Sequence, residues 1–110
     1  FKEKLDYQKE MLKWQQMGNK DVEDSLLASK KILSEIKSWN LKSLEEELIK
    51  EAVRFNLEKG YPENNKGFLL WPLRVALSGK EASAGPFEIA EILGKEKTLQ
   101  RIKEAISLFI

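Results

Sequence analysis

Apolar residues recur along this chain at spacings of three and four, the period that places them on one face of an α-helix. The two clearest runs are Leu44, Leu48, Ala52 and Phe55, and then Leu99, Ile102, Ile106 and Phe109. No stretch alternates between apolar and polar residues for long enough to indicate a strand. The pattern therefore predicts an all-α fold, a compact helical bundle of five or six helices with no sheet.

The start and stop signals divide the chain into six helical segments. The predicted segments are 2–17, 21–39, 43–56, 68–77, 86–93 and 95–109. Ser43 and Glu46 match a capping box, which predicts that the third helix starts at Ser43. Pro72 is best tolerated in a first turn, so the regular part of the fourth helix is expected to start near Trp71 or Pro72. Pro86 and Gly94 flank the fifth segment, as expected for a short helix.

Length and composition indicate one soluble domain over residues 1–110. The chain is 42% hydrophobic and 34% charged, with a net charge of +1. It has no apolar run near the roughly 20 residues that a membrane span needs, and its first residues are too charged for a secretory signal. We therefore expect a cytoplasmic protein and no membrane partner. Because the chain starts at Phe1 and not at Met, it is expected to be part of a longer protein.

Histidine and cysteine are both absent, which excludes most zinc sites and the Ser-His and Cys-His nucleophilic pairs. The glutamates of 45–47 could in principle act as acid and base, but their spacing is typical of a solvated helix face. Gly79 and Gly85 do not fit a phosphate-binding loop. We therefore expect no catalytic residue, no metal and no cofactor in this chain.

The segment 68–94 carries the best candidates for binding. Arg74 lies in an apolar run and must reach solvent or a partner. It could cap helix-end carbonyls or pair with Glu88, or it could present its guanidinium to a phosphate or a base edge. Trp71 could belong to the core or stack on a base, whereas Trp14 and Trp39 are expected in the core.

The loop that precedes the fifth helix could be a plain connector or a binding loop. Gly85 followed by Pro86 at a helix start leaves backbone N–H groups pointing outward. Unpaired nucleotides have hydrogen-bonding edges that such groups can contact.

Four short motifs resemble the C-terminal anticodon-binding domain of bacterial-type glutamyl-tRNA synthetases. They are PLRVALSG (72–79), the Phe87-Glu88 pair, LGK (93–95) and LQRIKEAI (99–106), within a best-matching region of 67–106. The resemblance implies a helical cage that holds the anticodon loop of tRNA-Glu with its bases unstacked. The residues it assigns to anticodon binding are Arg74, Trp71, Ser83, Ala84, Gly85 and Pro86.

Three of these positions depart from the family. Many relatives have proline at the position of Ala84 and leucine at that of Pro86, and Trp71 is bulkier than some counterparts. The catalytic signatures of the family are absent, so this fragment alone should not be an enzyme. Its longer parent would be a glutamate–tRNA ligase that uses ATP with magnesium in a separate catalytic domain.

The resulting hypothesis is a tRNA-recognition module that acts as a monomer and does not bind DNA. Lys80, Lys95 and Lys97 are candidate phosphate contacts. The alternative is a helical protein-interaction domain without nucleic-acid binding, in which apolar stripes and Trp71 meet a partner helix. A helix-turn-helix DNA reader is disfavoured, because no helix is rich in arginine on one face.

Overall fold

The computed structural model describes residues 7–80 and 84–109, and that part of the chain is helical without any strand. A short 3-10 helix precedes five α-helices. Their bounds are Lys9–Leu12 for the 3-10 helix, Asn19–Glu35 (α1), Leu41–Lys59 (α2), Gly67–Ser78 (α3), Pro86–Leu93 (α4) and Lys95–Ser107 (α5). The all-α prediction is confirmed. None of the helices in the described ranges is long and apolar enough to cross a membrane.

Helix α3 lies at the centre of the bundle. It is apolar around most of its circumference, and a helix of that kind has to be buried. Its buried side chains are Phe68, Leu69, Pro72, Leu73, Val75, Ala76, Leu77 and Ser78. The other four helices and the 3-10 helix all pack against it. A charged residue on this helix therefore has few directions in which it can reach solvent.

The prediction of a regular helix over 2–17 is wrong for residues 7–17, while residues 1–6 lie outside the described part. Only the short 3-10 helix forms there, and Gln15 has a φ of 53°. Leu12 and Met17 are nevertheless buried, and Trp14 is half-buried. Each of these side chains contacts the core separately, so tertiary packing overrides a weak helical pattern.

Helix α2 begins at Leu41, so the predicted capping box at Ser43 and Glu46 is wrong. The residue that caps the helix is Asn40, whose Oδ1 accepts a hydrogen bond of 2.9 Å from the Ser43 backbone N–H. A second bond comes from another helix, because Glu91 on α4 accepts from the Leu41 N–H at 2.8 Å. These two acceptors satisfy donors that a helix start leaves unpaired.

Helix α3 begins at Gly67, which is earlier than the predicted start near Trp71 or Pro72. Pro72 therefore lies inside the helix, where it cannot donate to the Phe68 carbonyl one turn before it. A hydroxyl group from α1 donates to that carbonyl instead. The proline is tolerated because the tertiary structure replaces the missing hydrogen bond.

An ion pair joins α1 to the end of α2. The Lys59 ammonium lies 2.5 Å from an Asp24 carboxylate oxygen, and Lys20 lies 3.2 Å from the other oxygen. Burial pushes the pKa of Asp24 upward, but hydrogen bonds from Lys59 and Lys20 outweigh it and hold that pKa below its ordinary value. The hydrogen bond to Asp24 in turn raises the pKa of Lys59.

Candidate nucleic-acid interface

A groove runs along α3 where the loop before α4 meets it. Its volume is about 520 Å³, within the range of roughly 300–1,000 Å³ that is usual for ligand sites. The residues that line it are Trp14, Glu45, Lys66, Gly67, Leu70, Trp71, Arg74, Gly85, Pro86, Phe87 and Glu88. Four of the predicted site residues, Trp71, Arg74, Gly85 and Pro86, are thus brought together on one surface.

Arg74 is half-buried on the groove side of α3. Among the described residues its side chain forms no hydrogen bond and no ion pair, so it neither pairs with Glu88 nor caps a helix carbonyl. Because its neighbours Leu73 and Val75 are fully buried in the core, the backbone that carries Arg74 is firmly placed. The bundle therefore fixes where the Arg74 side chain begins, while the guanidinium is not engaged by any other described residue.

Trp71 is held in place by a hydrogen bond and by a second indole. Its Nε1 donates to the Met11 carbonyl oxygen at 3.0 Å. Its ring lies against that of Trp14, with the centroids 5.3 Å apart and the planes tilted by 39°. Trp14 is fixed in the same way, because its Nε1 donates to the Asn65 side chain at 3.0 Å. The indole N–H of Trp71 is thus already used within the chain, and the residue lines the groove.

The loop between α3 and α4 is anchored at both ends. The Ser78 hydroxyl donates to the Arg74 carbonyl at 2.8 Å and accepts from the Lys80 N–H at 3.1 Å. Gly79 follows with a φ of 71°, a left-handed conformation that suits glycine. At the other end, Pro86 is buried as the first residue of α4. Ala84 is exposed, and Ser83 lies outside the described residues.

The three lysines predicted to contact phosphates do not line this groove. Lys80 is exposed at the start of the loop. Lys95 and Lys97 line a different hollow at the beginning of α5. Lys95 also has a structural partner, since its Nζ donates to the Ile36 carbonyl oxygen after α1 at 2.8 Å. Their contacts with phosphate stay a prediction.

The structure adds seven groove residues that were not among the predicted site residues. They are Trp14, Glu45, Lys66, Gly67, Leu70, Phe87 and Glu88. Glu88 belongs to the Phe87-Glu88 motif, so the sequence did point to its neighbourhood. Trp14 and Glu45 are distant in sequence and carry no local signal. Only the packing of the N-terminal segment and of α2 against α3 places them here.

A buried arginine on α5 donates a hydrogen bond to the C-terminal end of α3. Arg101 on α5 is 1% exposed, and its Nη1 donates to the Leu77 carbonyl oxygen. That carbonyl is among the last four of α3, which have no partner within the helix. Arg101 lies within the LQRIKEAI motif, but its burial could not be read from a sequence in which lysines and glutamates surround it.

The family match spans nearly the whole chain. A family model described as the anticodon binding domain matches residues 1–106. No solved structure matches the chain significantly.

The curated relatives are longer proteins. The glutamate–tRNA ligase of Clostridium botulinum strain Hall is 42% identical over 110 residues, which are 96% of this chain and 21% of that ligase. The enzyme of the same name from Clostridium acetobutylicum is 38% identical over 109 residues, again 96% of this chain and 21% of the relative. The glutamate–tRNA ligase of Clostridium tetani is 42% identical over 87 residues, which are 76% of this chain and 16% of that ligase. The chain thus spans about a fifth of the length of these relatives.

The comparisons do not favour the alternative of a helical protein-interaction domain. The chain belongs to the anticodon-binding domain family.

Proposed function

We propose that this chain is the anticodon-loop recognition module of a glutamate–tRNA ligase, with tRNA-Glu as its partner. The full-length protein would attach glutamate to tRNA in the cytoplasm, with ATP and magnesium bound by a catalytic domain outside this chain. The names and the identity of the relatives support this proposal.

The observation that carries the proposal is the position of Arg74. It lies on the same groove as Trp71 and as Gly85 and Pro86 at the end of the loop. An arginine guanidinium can donate two parallel hydrogen bonds to acceptors on a base edge. An indole ring can stack on an unstacked base, and such stacking is worth about 1–3 kcal/mol per base.

The start of α4, after the loop that joins it to α3, adds backbone N–H donors to these side chains. Pro86 has no N–H, so the first free donors of α4 belong to the residues that follow it. Single-stranded RNA is recognised through contacts of this kind, because its unpaired bases expose their edges. Ser83 and Ala84 are proposed to contact the anticodon from the same loop.

The net charge of +1 limits the electrostatic part of the binding. Few phosphates can be neutralised, so the affinity should depend only modestly on salt. Lys80, Lys95 and Lys97 are proposed to supply these contacts from outside the groove.

The proposal is tested by titrating the chain with a labelled anticodon stem–loop of tRNA-Glu and with one that carries an unrelated anticodon. We expect tighter binding of the first, and a loss of about 1–3 kcal/mol in Arg74→Ala if Arg74 contacts a base edge. Lys103→Ala is the control, since Lys103 is an exposed cation that does not line the groove. Equal binding of both stem–loops would contradict the proposed function.

A further inference from the structure

Four charged side chains surround the groove, two of each sign. Arg74 and Lys66 are cationic, and Glu45 and Glu88 are anionic. Among the described residues none of the four takes part in an ion pair. Elsewhere on the surface, opposite charges do pair, as Arg54 does with Glu51 and Glu58. The groove thus holds charges of both signs that are available to a ligand.

This balance does not suit a site for the RNA backbone alone. Phosphate oxygens are hydrogen-bond acceptors and carry negative charge, so two nearby carboxylates would repel them. A nucleobase edge differs because it presents N–H donors beside its acceptors. A groove with both a guanidinium and carboxylates is therefore complementary to base edges.

We propose that Glu88 is a specificity-determining residue that accepts a hydrogen bond from an amino or imino N–H of one anticodon base. Arg74 would donate to acceptors in the same groove. The inference rests on the proposed function. In it, Glu88 helps the chain to distinguish one base from another and does not raise the affinity for RNA in general.

The position of Glu88 favours it over Glu45 for this role. A Cβ placed on Gly85 would lie 2.5 Å from the Glu88 Oε2 atom, so this carboxylate is folded back over the loop residue proposed to contact the anticodon. Glu88 also lies in the first turn of α4, where the helix dipole favours a negative charge. The carboxylate oxygens thus lie beside the loop, where they can accept hydrogen bonds from a base.

A purely structural role for Glu88 predicts something different. If Glu88 only interacted favourably with the dipole of α4, replacing Glu88 would lower the stability of the fold slightly and would remove one negative charge from the surface. The affinity for every RNA would then rise by a similar small factor. A role in base selection instead changes the ratio between affinities for different anticodons.

The experiment compares Glu88→Ala with Glu46→Ala, which removes the same charge from an exposed glutamate outside the groove. Dissociation constants are measured for the tRNA-Glu anticodon stem–loop and for stem–loops with one anticodon base replaced in turn. We expect Glu88→Ala to reduce discrimination at one anticodon position by roughly tenfold and to leave the other positions unchanged. Glu46→Ala should leave the ratios between the dissociation constants of the different stem–loops unchanged.

Two results would overturn the inference. One is a Glu88→Ala variant that discriminates at every position as the original chain does, and the other is loss of discrimination in Glu45→Ala alone. Neither affects the proposed function, provided that the original chain still prefers the tRNA-Glu anticodon. If the original chain shows no preference at any position, the proposed function itself fails.

Discussion

The hydroxyl of Ser25 donates a hydrogen bond of 2.8 Å to the main-chain oxygen of Phe68. This pairing explains how α3 accommodates a proline in its interior. In an unbroken helix the Phe68 carbonyl would accept from the N–H of residue 72, which proline lacks. Ser25 is fully buried on α1, so an adjacent helix supplies the donor where water cannot.

Ser25→Ala should therefore destabilise the fold by about 1–3 kcal/mol, because it leaves a buried carbonyl without a partner. Ser29 offers a matched control one turn further along α1. It is equally buried, but within the described residues its hydroxyl has no hydrogen-bond partner. Ser29→Ala should leave the free energy of unfolding unchanged or raise it. Urea unfolding followed by circular dichroism measures this free energy for both variants. Equal losses in the two variants would show that the Phe68 carbonyl does not depend on Ser25.

Gly67→Ala should destabilise the chain, although alanine normally favours a helix over glycine by about 1 kcal/mol. A Cβ at residue 67 would lie 2.3 Å from an atom of the Trp14 indole, too close for any real contact. The ring is held by Asn65 and by its packing on Trp71, so it cannot move without cost. We expect a loss of stability and a shift in tryptophan fluorescence as the pair of rings separates.

The control for this substitution is Gly18→Ala. A Cβ there would meet nothing closer than 3.7 Å. Gly18 is the N-cap residue of α1, a position that alanine suits less well, so a loss on the order of 1 kcal/mol without a shift in tryptophan fluorescence is expected. If Gly67→Ala proved as stable as the original chain, the contact between Gly67 and Trp14 would not constrain the groove.

The ion pair between Asp24 and Lys59 should give the stability a defined pH dependence. The pKa of Asp24 is lowered in the folded chain from its ordinary value of 3.8. Its contribution is therefore fully present above that value and is lost as the pH falls through the lower, folded pKa. The raised pKa of Lys59 acts in the opposite direction. Its contribution is present below pH 10.5 and is lost as the pH rises through the folded value.

Asp24→Asn should therefore lower the stability at pH 7 by on the order of 1 kcal/mol, since the pair is partly exposed to solvent. The difference from the original chain should narrow as the pH falls through the lowered pKa of the folded Asp24, and it should vanish once the carboxyl group is protonated. Thermal unfolding of both chains at a series of pH values from 7 downward measures this difference in stability. Glu23→Gln, next in the chain and without an ion pair among the described residues, should show no such convergence.

Arg101→Met should destabilise the end of α3 by about 1–3 kcal/mol, because it removes a charged donor from the buried Leu77 carbonyl. The side chain keeps much of its volume, so the loss reports the polar contacts of Arg101 more than its packing. Hydrogen exchange at the amides of Ser78–Lys80 should quicken as the helix end loosens. Lys103→Met, at an exposed position of the same helix, should leave these amides unchanged.

Helices with strong periodicity were predictable from the sequence, because their own residues determine which face is buried. The run from Leu44 to Phe55 belongs to α2, and the short helix Pro86–Leu93 starts and ends as its proline and glycine predict. Errors occur where a distant residue decides the local structure. Glu91 on α4 pairs with the Leu41 N–H where α2 begins, and Ser25 on α1 allows α3 to extend ahead of Pro72.

The sequence by itself determined the helical class, the candidate role of Arg74 and the likeness of residues 72–106 to anticodon-binding domains. These depend on periodicity and on short motifs, which are properties of neighbouring residues. Only the tertiary structure decided that Trp14, Glu45 and Lys66 share a groove with Arg74 and Glu88. Residues this far apart meet through packing against α3, and the burial that brings them together depends on the whole core at once.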